Sequence, residues 1–441
     1  MADRPNIVLL SVDSMGSNHL GCYGYHHATS PRIDALADEG VLCERVYCPG
    51  IPTFPSYTTL YTGQHPLTHG IVSHPCDNEL ALDAPALPWL LLRDGYNTCA
   101  VDSLMRSRLW FGRGYEFYID PSIKHTLLHL ATTCEDLNAR AIEWLQAYGH
   151  TEQPFFLFIH YWDTHWPYAP PQRYHGLFYD GDPYDRDNHS LEPWWTHHPL
   201  GAAARNIWLR TPNGLITDAD YVRALHDQEI RYLDDGIAQM LEILDRLELA
   251  ENTLVLLTSD HGESMTEHDI YFEHHGLYDT TLQVPLLARW PGRLPAGGRV
   301  SPMLQVSDIA PTLLEAAGVA IPDEMEGRSF WKQLTGEADP QGYERIISLE
   351  CYWEAKWSLR TERHKLIMAR HPDLYGRPQL ELYDLMADPG EIDNLTDQSP
   401  DLATEMEASL ESWIAGRMAA LGLEEDPVTA CVPKLSTLWN G

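Results

Sequence analysis

The sequence predicts an α/β protein: a large, mostly parallel sheet flanked by helices, followed by a small C-terminal antiparallel sheet with a helix. Three observations predict it. The runs Asn6-Ile7-Val8-Leu9-Leu10-Ser11-Val12 and Thr253–Ser259 are almost uninterruptedly apolar, the pattern of strands covered on both faces. Both end in acids, Asp13 and Asp260, and open α/β sheets hold their ligands just past the C-terminal ends of such strands. Between and around them, apolar runs alternate with amphipathic stretches of helical period.

Taken in order, Ser30–Glu39 reads as a helix, and the turn-rich stretch at Pro49, Gly50 and Pro52 leads into a helix opened by Thr53. Ala86–Asp94 is a second short helix, and the amphipathic Glu135–Tyr148 leads to the strand Phe155–His160. Residues 172–218 break the rhythm with Pro, Gly, Asp and aromatics that include Trp194, Trp195 and Trp208. An irregular segment of that length reads as a lid or binding loop, with a plain surface insertion as the alternative. Tyr221–Leu247 reads as a long helix before the Asp260 strand. Past Gly318, strands are expected at Trp357–Met368 and Leu380–Tyr383, a turn at Ala387–Gly390, and a helix at Pro400–Ala415 capped by Ser399. The expected division is a catalytic domain over 1–340 and an α+β subdomain over 341–441.

Thr53 is the most informative residue. A hydroxyl at a helix start, where backbone N–H groups are unpaired and favour anions, can cap, ligate a metal or act as a nucleophile. Asp13, Asp260, His261 and the Thr53 oxygen together form a hard, mixed O/N set. That set suits one divalent ion, with Zn²⁺ or Mn²⁺ favoured over Mg²⁺ or Ca²⁺. A second ion, to which His160 and Asp163 would contribute, is the less favoured arrangement.

Composition narrows the partners. The 441 residues carry a net charge of −34 and no basic run, which excludes nucleic acid and anionic membranes as partners and leaves a small-molecule substrate. Homo-oligomerisation is left open. Met1–Pro5 is polar, and the apolar run after it is too short to span a bilayer. The eight cysteines show no CxxC pair or regular spacing, so most are expected to be reduced core residues of a cytoplasmic protein.

Several segments together resemble the sulfatase branch of the alkaline phosphatase superfamily. They are NIVLLSVDSMGSNHLGCYG (6–24), the Thr53–Gly70 block, FFLFIHYWDTHWPYAPP (155–171), Thr258–Pro291 and LELYDLMADPGEIDNL (380–395). The resemblance covers almost the whole chain and implies the alkaline-phosphatase-like fold, with Asp13, Asp260, His261 and Thr53 as metal ligands. It also implies that His165 contacts the transferred group, and that a histidine of the pair His274-His275 does so too, with His275 preferred. Tyr57 stands where the family has an arginine, Ser14 where many sulfatases have a second acidic ligand, and Asp102 where a lysine is common. Tyr57 is nevertheless expected to face the substrate with His165 and His275.

The decisive departure is Thr53 itself. Sulfatases carry a Cys, or sometimes a Ser, that is oxidised to formylglycine, and the methyl on the Thr β-carbon closes that route. The resemblance implies that an unmodified Thr here is of the type used by the metal-dependent phosphatases, phosphodiesterases and phosphonate hydrolases of the superfamily. The expected activity is therefore metal-dependent hydrolysis of phosphate diesters or phosphonate monoesters through a phospho-threonine intermediate, with His165 or His275 protonating the leaving alcohol. A phosphomonoesterase or sulfatase-like hydrolase using the same Thr, and a non-catalytic binding protein on this fold, are the alternatives.

Overall fold

The computed structural model describes residues 4–74, 78–124, 132–338 and 341–430. Its strands are β1 (Asn6–Val12), β2 (Val41–Tyr47), β3 (Gly50–Ile51), β4 (Asn97–Val101) and β5 (Phe117–Ile119). They continue with β6 (Phe155–Tyr161), β7 (Arg210–Thr211), β8 (Gly214–Leu215), β9 (Thr253–Ser259) and β10 (Gln283–Arg289). The last are β11 (Gly298–Gln305), β12 (Arg345–Cys351), β13 (Ala355–Thr361), β14 (His364–Ala369) and β15 (Leu380–Asp384).

Eight strands form the main sheet in the order β11-β2-β10-β9-β1-β6-β4-β5. β1 lies between β9 and β6 and is parallel to both, so the two apolar runs are neighbours and Asp13 and Asp260 leave the sheet side by side. Only β10 runs against the rest. Side chains alternate across β1. Ile7 and Leu9 pack with Tyr57, Leu60, Leu87 and Leu313 on one face, while Val8, Leu10 and Val12 pack with Ile33, Leu137, Ile237 and Leu244 on the other. Both faces are covered by helices, which is why the run carries no polar alternation.

The second sheet has the order β15-β14-β13-β12-β3, and the helix Pro400–Leu421 closes it through Met406, Leu410 and Ile414. Its last strand comes from the N-terminal part of the chain: Gly50 and Ile51 pair in parallel with Leu349 and Glu350. The segment expected as one strand over Trp357–Met368 is two strands, turned at Glu362-Arg363. The helix from Pro400 runs six residues past the expected end to Leu421, because Gly422 in the left-handed conformation stops it there.

The 172–218 segment is less irregular than its composition suggests. It holds the short helix Glu192–His197 and the β7-β8 hairpin. Leu191, Trp194, Leu209 and Ile216 are buried with Trp166, Tyr168, Met265 and Phe272 in a cluster of their own. Cys22, Cys43, Cys48, Cys99 and Cys134 are free, but Cys351 is disulfide-bonded, an exception to the expected reduced set. Cys76 and Cys431 lie outside the described residues. No helix among the described residues is long and apolar enough to cross a membrane.

Candidate active site

Thr53 is the first residue of the helix Thr53–Thr62, every residue of which is buried. It is 4 % exposed, and its Oγ1 lies 3.4 Å from Nε2 of His261. Asp13, Asp260 and His261 are fully buried, and one ligand atom from each lies within 4.8 Å of the others.

Local backbone fixes this cluster. Ser14 sits in the left-handed region at φ 58°, which turns its N–H toward Oδ1 of Asp260 (3.1 Å) while its Oγ donates to Oδ1 of Asp13 (2.9 Å). The Oδ2 atoms of both aspartates are buried without a hydrogen-bond partner among the described residues. Nδ1 of His261 donates to the Gly262 carbonyl (3.0 Å), which leaves the Nε2 lone pair for a ligand role. Burial holds His261 down at about 3, with the neighbouring His274 acting in the same direction, so the ring is neutral, as a metal ligand must be. Burial and the charge of Asp13 push Asp260 well above the usual carboxylate range. Burial also acts to raise Asp13, but His160, His165 and His261 outweigh it and hold that carboxyl well below its ordinary value. Two buried carboxylates and a neutral imidazole, with one ligand atom of each within 4.8 Å of the others, fit a divalent cation.

The structure places His160 behind this cluster. Its Nε2 is 3.4 Å from Oδ2 of Asp13 and its Nδ1 is 2.8 Å from Oδ1 of Asp102. Burial opposes the charge, yet the two aspartates raise His160 to about 9, so a buried imidazolium bridges them. Asp102 thus serves to hold a cation, and Leu104 N–H and Tyr118 hydroxyl also donate to it. Tyr57, expected against the substrate, is fully buried, with its ring 4.6 Å from that of His160 and its hydroxyl 3.0 Å from Ser11 Oγ. Asp163 points elsewhere, accepting from the Cys134 N–H (2.9 Å).

Among the histidines, His274 rather than the expected His275 lies beside the cluster. His274 stacks on His261 at 4.8 Å and lies 5.2 Å from His165. Although burial opposes protonation, Glu263 and Glu273 raise His274 to about 9, with its Nδ1 3.6 Å from Glu263 Oε2. His275 turns the other way, 2.9 Å from the Tyr375 hydroxyl and stacked on His198 at 5.9 Å. In a two-residue pair on a loop, sequence offers no periodicity to choose between faces, so the preference for His275 had no physical footing.

The C-terminal unit contributes Tyr352, 5.5 Å from the His274 ring, and Trp353, 5.0 Å from that of His198. Neither stands out in the sequence. A cavity of about 320 Å³ lined by Trp194, His197, His198, Leu374 and Tyr375 adjoins His275. The 172–218 insertion and the C-terminal unit thus build one wall together.

The family model for sulfatases matches residues 5–319, and the model for the N-sulphoglucosamine sulphohydrolase C-terminal region matches residues 266–416. An N-acetylglucosamine-6-O-sulfatase of Bacteroides thetaiotaomicron is 24% identical over 470 residues, covering 89% of this chain and 82% of that protein. An arylsulfatase of Clostridium perfringens is 25% identical over 446 residues, covering 89% and 90%. Among solved structures, a phosphonate monoester hydrolase of Agrobacterium radiobacter superposes with a TM-score of 0.73 at 22% identity, over 94% of this chain and 96% of that one.

Proposed function

Given that the chain belongs to the sulfatase family of ester-bond hydrolases, we propose that its centre cleaves phosphate diesters or phosphonate monoesters, with Thr53 as nucleophile. The observation that carries this reading is the identity and seat of Thr53. A side chain that cannot become an aldehyde stands at the start of a buried helix, 3.4 Å from His261. Asp13, Asp260, His261 and the Thr53 oxygen would hold a divalent ion, whose positive charge favours the alkoxide form of Thr53 and offsets charge on the phosphoryl oxygens.

The residues divide the work. Thr53 Oγ1 forms a bond to phosphorus as the bond to the leaving oxygen breaks. His274, held protonated beside His165, gives its proton to the departing alcohol. Neutral His274 then takes a proton from water, which attacks phosphorus and releases Thr53. His160 keeps its charge between Asp13 and Asp102 and fixes the orientation of Asp13.

That division also bears on substrate class. The His160 cation is committed to two aspartates, and Tyr57 stands where the family has an arginine. A monoanionic diester or phosphonate ester needs less positive charge than a monoester dianion. A second reading is hydrolysis of sulfate esters by the same Thr53, which the sulfatase relatives favour. Side-by-side kinetics on aryl alkyl-phosphate, aryl phosphonate, aryl phosphate and aryl sulfate test the proposal. The first two are expected to have the highest kcat/KM. A clear preference for the sulfate supports the second reading, and a preference for the monoester or no turnover at all overturns the first.

A further inference from the structure

A second cluster of metal-ligating groups shares no residue with the Thr53 centre. His19 ends the short turn Ser17–His19 that follows β1, and His226 and Asp227 are adjacent on the long helix Ala219–Arg246. One ligand atom from each lies within 4.8 Å of the others. His226 and Asp227 are fully buried and His19 is 3 % exposed.

The contacts of the three residues are uneven. Asp227 is heavily engaged: Oδ1 is 3.2 Å from His19 Nδ1, and Oδ2 takes the Tyr25 hydroxyl and His27 Nδ1, each at 2.8 Å. His226 is the opposite. Neither of its ring nitrogens has a hydrogen-bond partner among the described residues, and the rings of His19 and Tyr168 meet it edge-on at 4.8 Å and 5.0 Å. A neutral imidazole carries one donor and one acceptor, and leaving them unmet in a dry interior is unfavourable. A hydrogen-bonded His–Asp pair explains His19 and Asp227 but gives a buried, unpartnered His226 no purpose.

A cation gives it one. Two imidazoles and a carboxylate are a common zinc donor set, and metal–ligand bonds of about 2.0–2.1 Å place tetrahedral ligand atoms about 3.3 Å apart. The 3.2 Å separation of His19 Nδ1 and Asp227 Oδ1 already matches that edge. The hydrogen bonds of Tyr25 and His27 to Oδ2 supply the outer support that orients a ligating carboxylate. We propose that His19, His226 and Asp227 form a structural zinc site separate from the catalytic cluster, completed by a water molecule. It would tie the turn after β1 to the first third of the long helix.

The test is zinc content of the full chain, stripped with chelator, reloaded with Zn²⁺ alone and desalted. Asp13→Asn/Asp260→Asn, which disables the first centre, is expected to retain one equivalent per chain and to gain several degrees in Tm on adding zinc. Adding His226→Gln to it, or His19→Gln should that variant fail to fold, is expected to abolish both the retained ion and the Tm gain. Retention of one ion in the first variant and its loss in the second supports the site whatever the Thr53 centre does. Absence of zinc from Asp13→Asn/Asp260→Asn, or its retention after both histidine substitutions, overturns the proposal.

Discussion

Replacing Thr53 by Ala separates chemistry from stability. The substitution removes a hydroxyl that lies 3.4 Å from His261 Nε2, a contact worth about 0.5–1.5 kcal/mol. It also removes a buried methyl worth about 0.8 kcal/mol. A loss of about 1–2 kcal/mol in a chain of this size lowers Tm by only a few degrees, so the protein is expected to remain folded at assay temperature. Turnover should behave quite differently: deletion of a covalent nucleophile lowers kcat by about 10⁴–10⁶. Thr53→Ser keeps the attacking oxygen but loosens its placement, and a misplacement near 1 Å costs about 10²-fold. Steady-state kinetics alongside thermal melts read both quantities, and mass spectrometry of acid-quenched turnover should find phosphoryl on the peptide containing Thr53. Thr53→Ala protein that melts normally and retains activity within tenfold of wild type refutes the assignment and moves the attack to a solvent-derived nucleophile.

Other outcomes follow from the same geometry. His274→Asn is expected to lower kcat at least a hundredfold through loss of the proton donor, whereas His275→Asn, turned toward Tyr375, should change it less than tenfold; parallel kinetics decide. Leu10→Ala removes a fully buried side chain from the central strand and should cost about 2–5 kcal/mol in denaturant unfolding. Asp163 is raised from 3.8 to about 7, chiefly by burial. An acid that keeps its proton in the native state adds stability that is fully present below the unfolded value and is lost as pH rises through about 7. Relative to Asp163→Asn, the wild type should therefore lose up to about 4 kcal/mol between pH 4 and pH 8, at about 1.4 kcal/mol per pH unit. Melts of both proteins across that range test it, and a constant difference contradicts the assignment.

The parts of this protein that could be read from its sequence are those where one strong local pattern has one physical meaning. The apolar runs of β1 and β9 could only be covered on both faces, so their terminal acids had to meet once the strands became neighbours. Thr53 could be placed because a helix start follows its turn-rich approach. What could not be read depends on pairings across sequence. Asp102 looked like a missing cation, yet it holds one, because β4 and β6 are adjacent in the sheet and bring it to His160. Nothing in the runs around His19 and Asp227, 208 positions apart, announces that they meet. The positions of the two neighbouring histidines were illegible for a more local reason: His274 and His275 face opposite ways, and the packing of Tyr375 and His198 tells them apart.

The two-residue strand at Gly50-Ile51 has a consequence for how such a protein can change. It sits between β2 of the main sheet and Thr53, and its hydrogen bonds run to β12 of the other sheet. Thr53 is therefore hinged on the later half of the chain, and a truncation before residue 345 would cut that anchor. Tyr352, Trp353 and Tyr375 lie on that same later half and approach His274, His198 and His275. Exchanging those aromatics leaves Asp13, Asp260, His261 and the β3–β12 backbone pairing untouched. Grafts between relatives should therefore be cut outside 345–351, so that the pairing that seats Thr53 is kept.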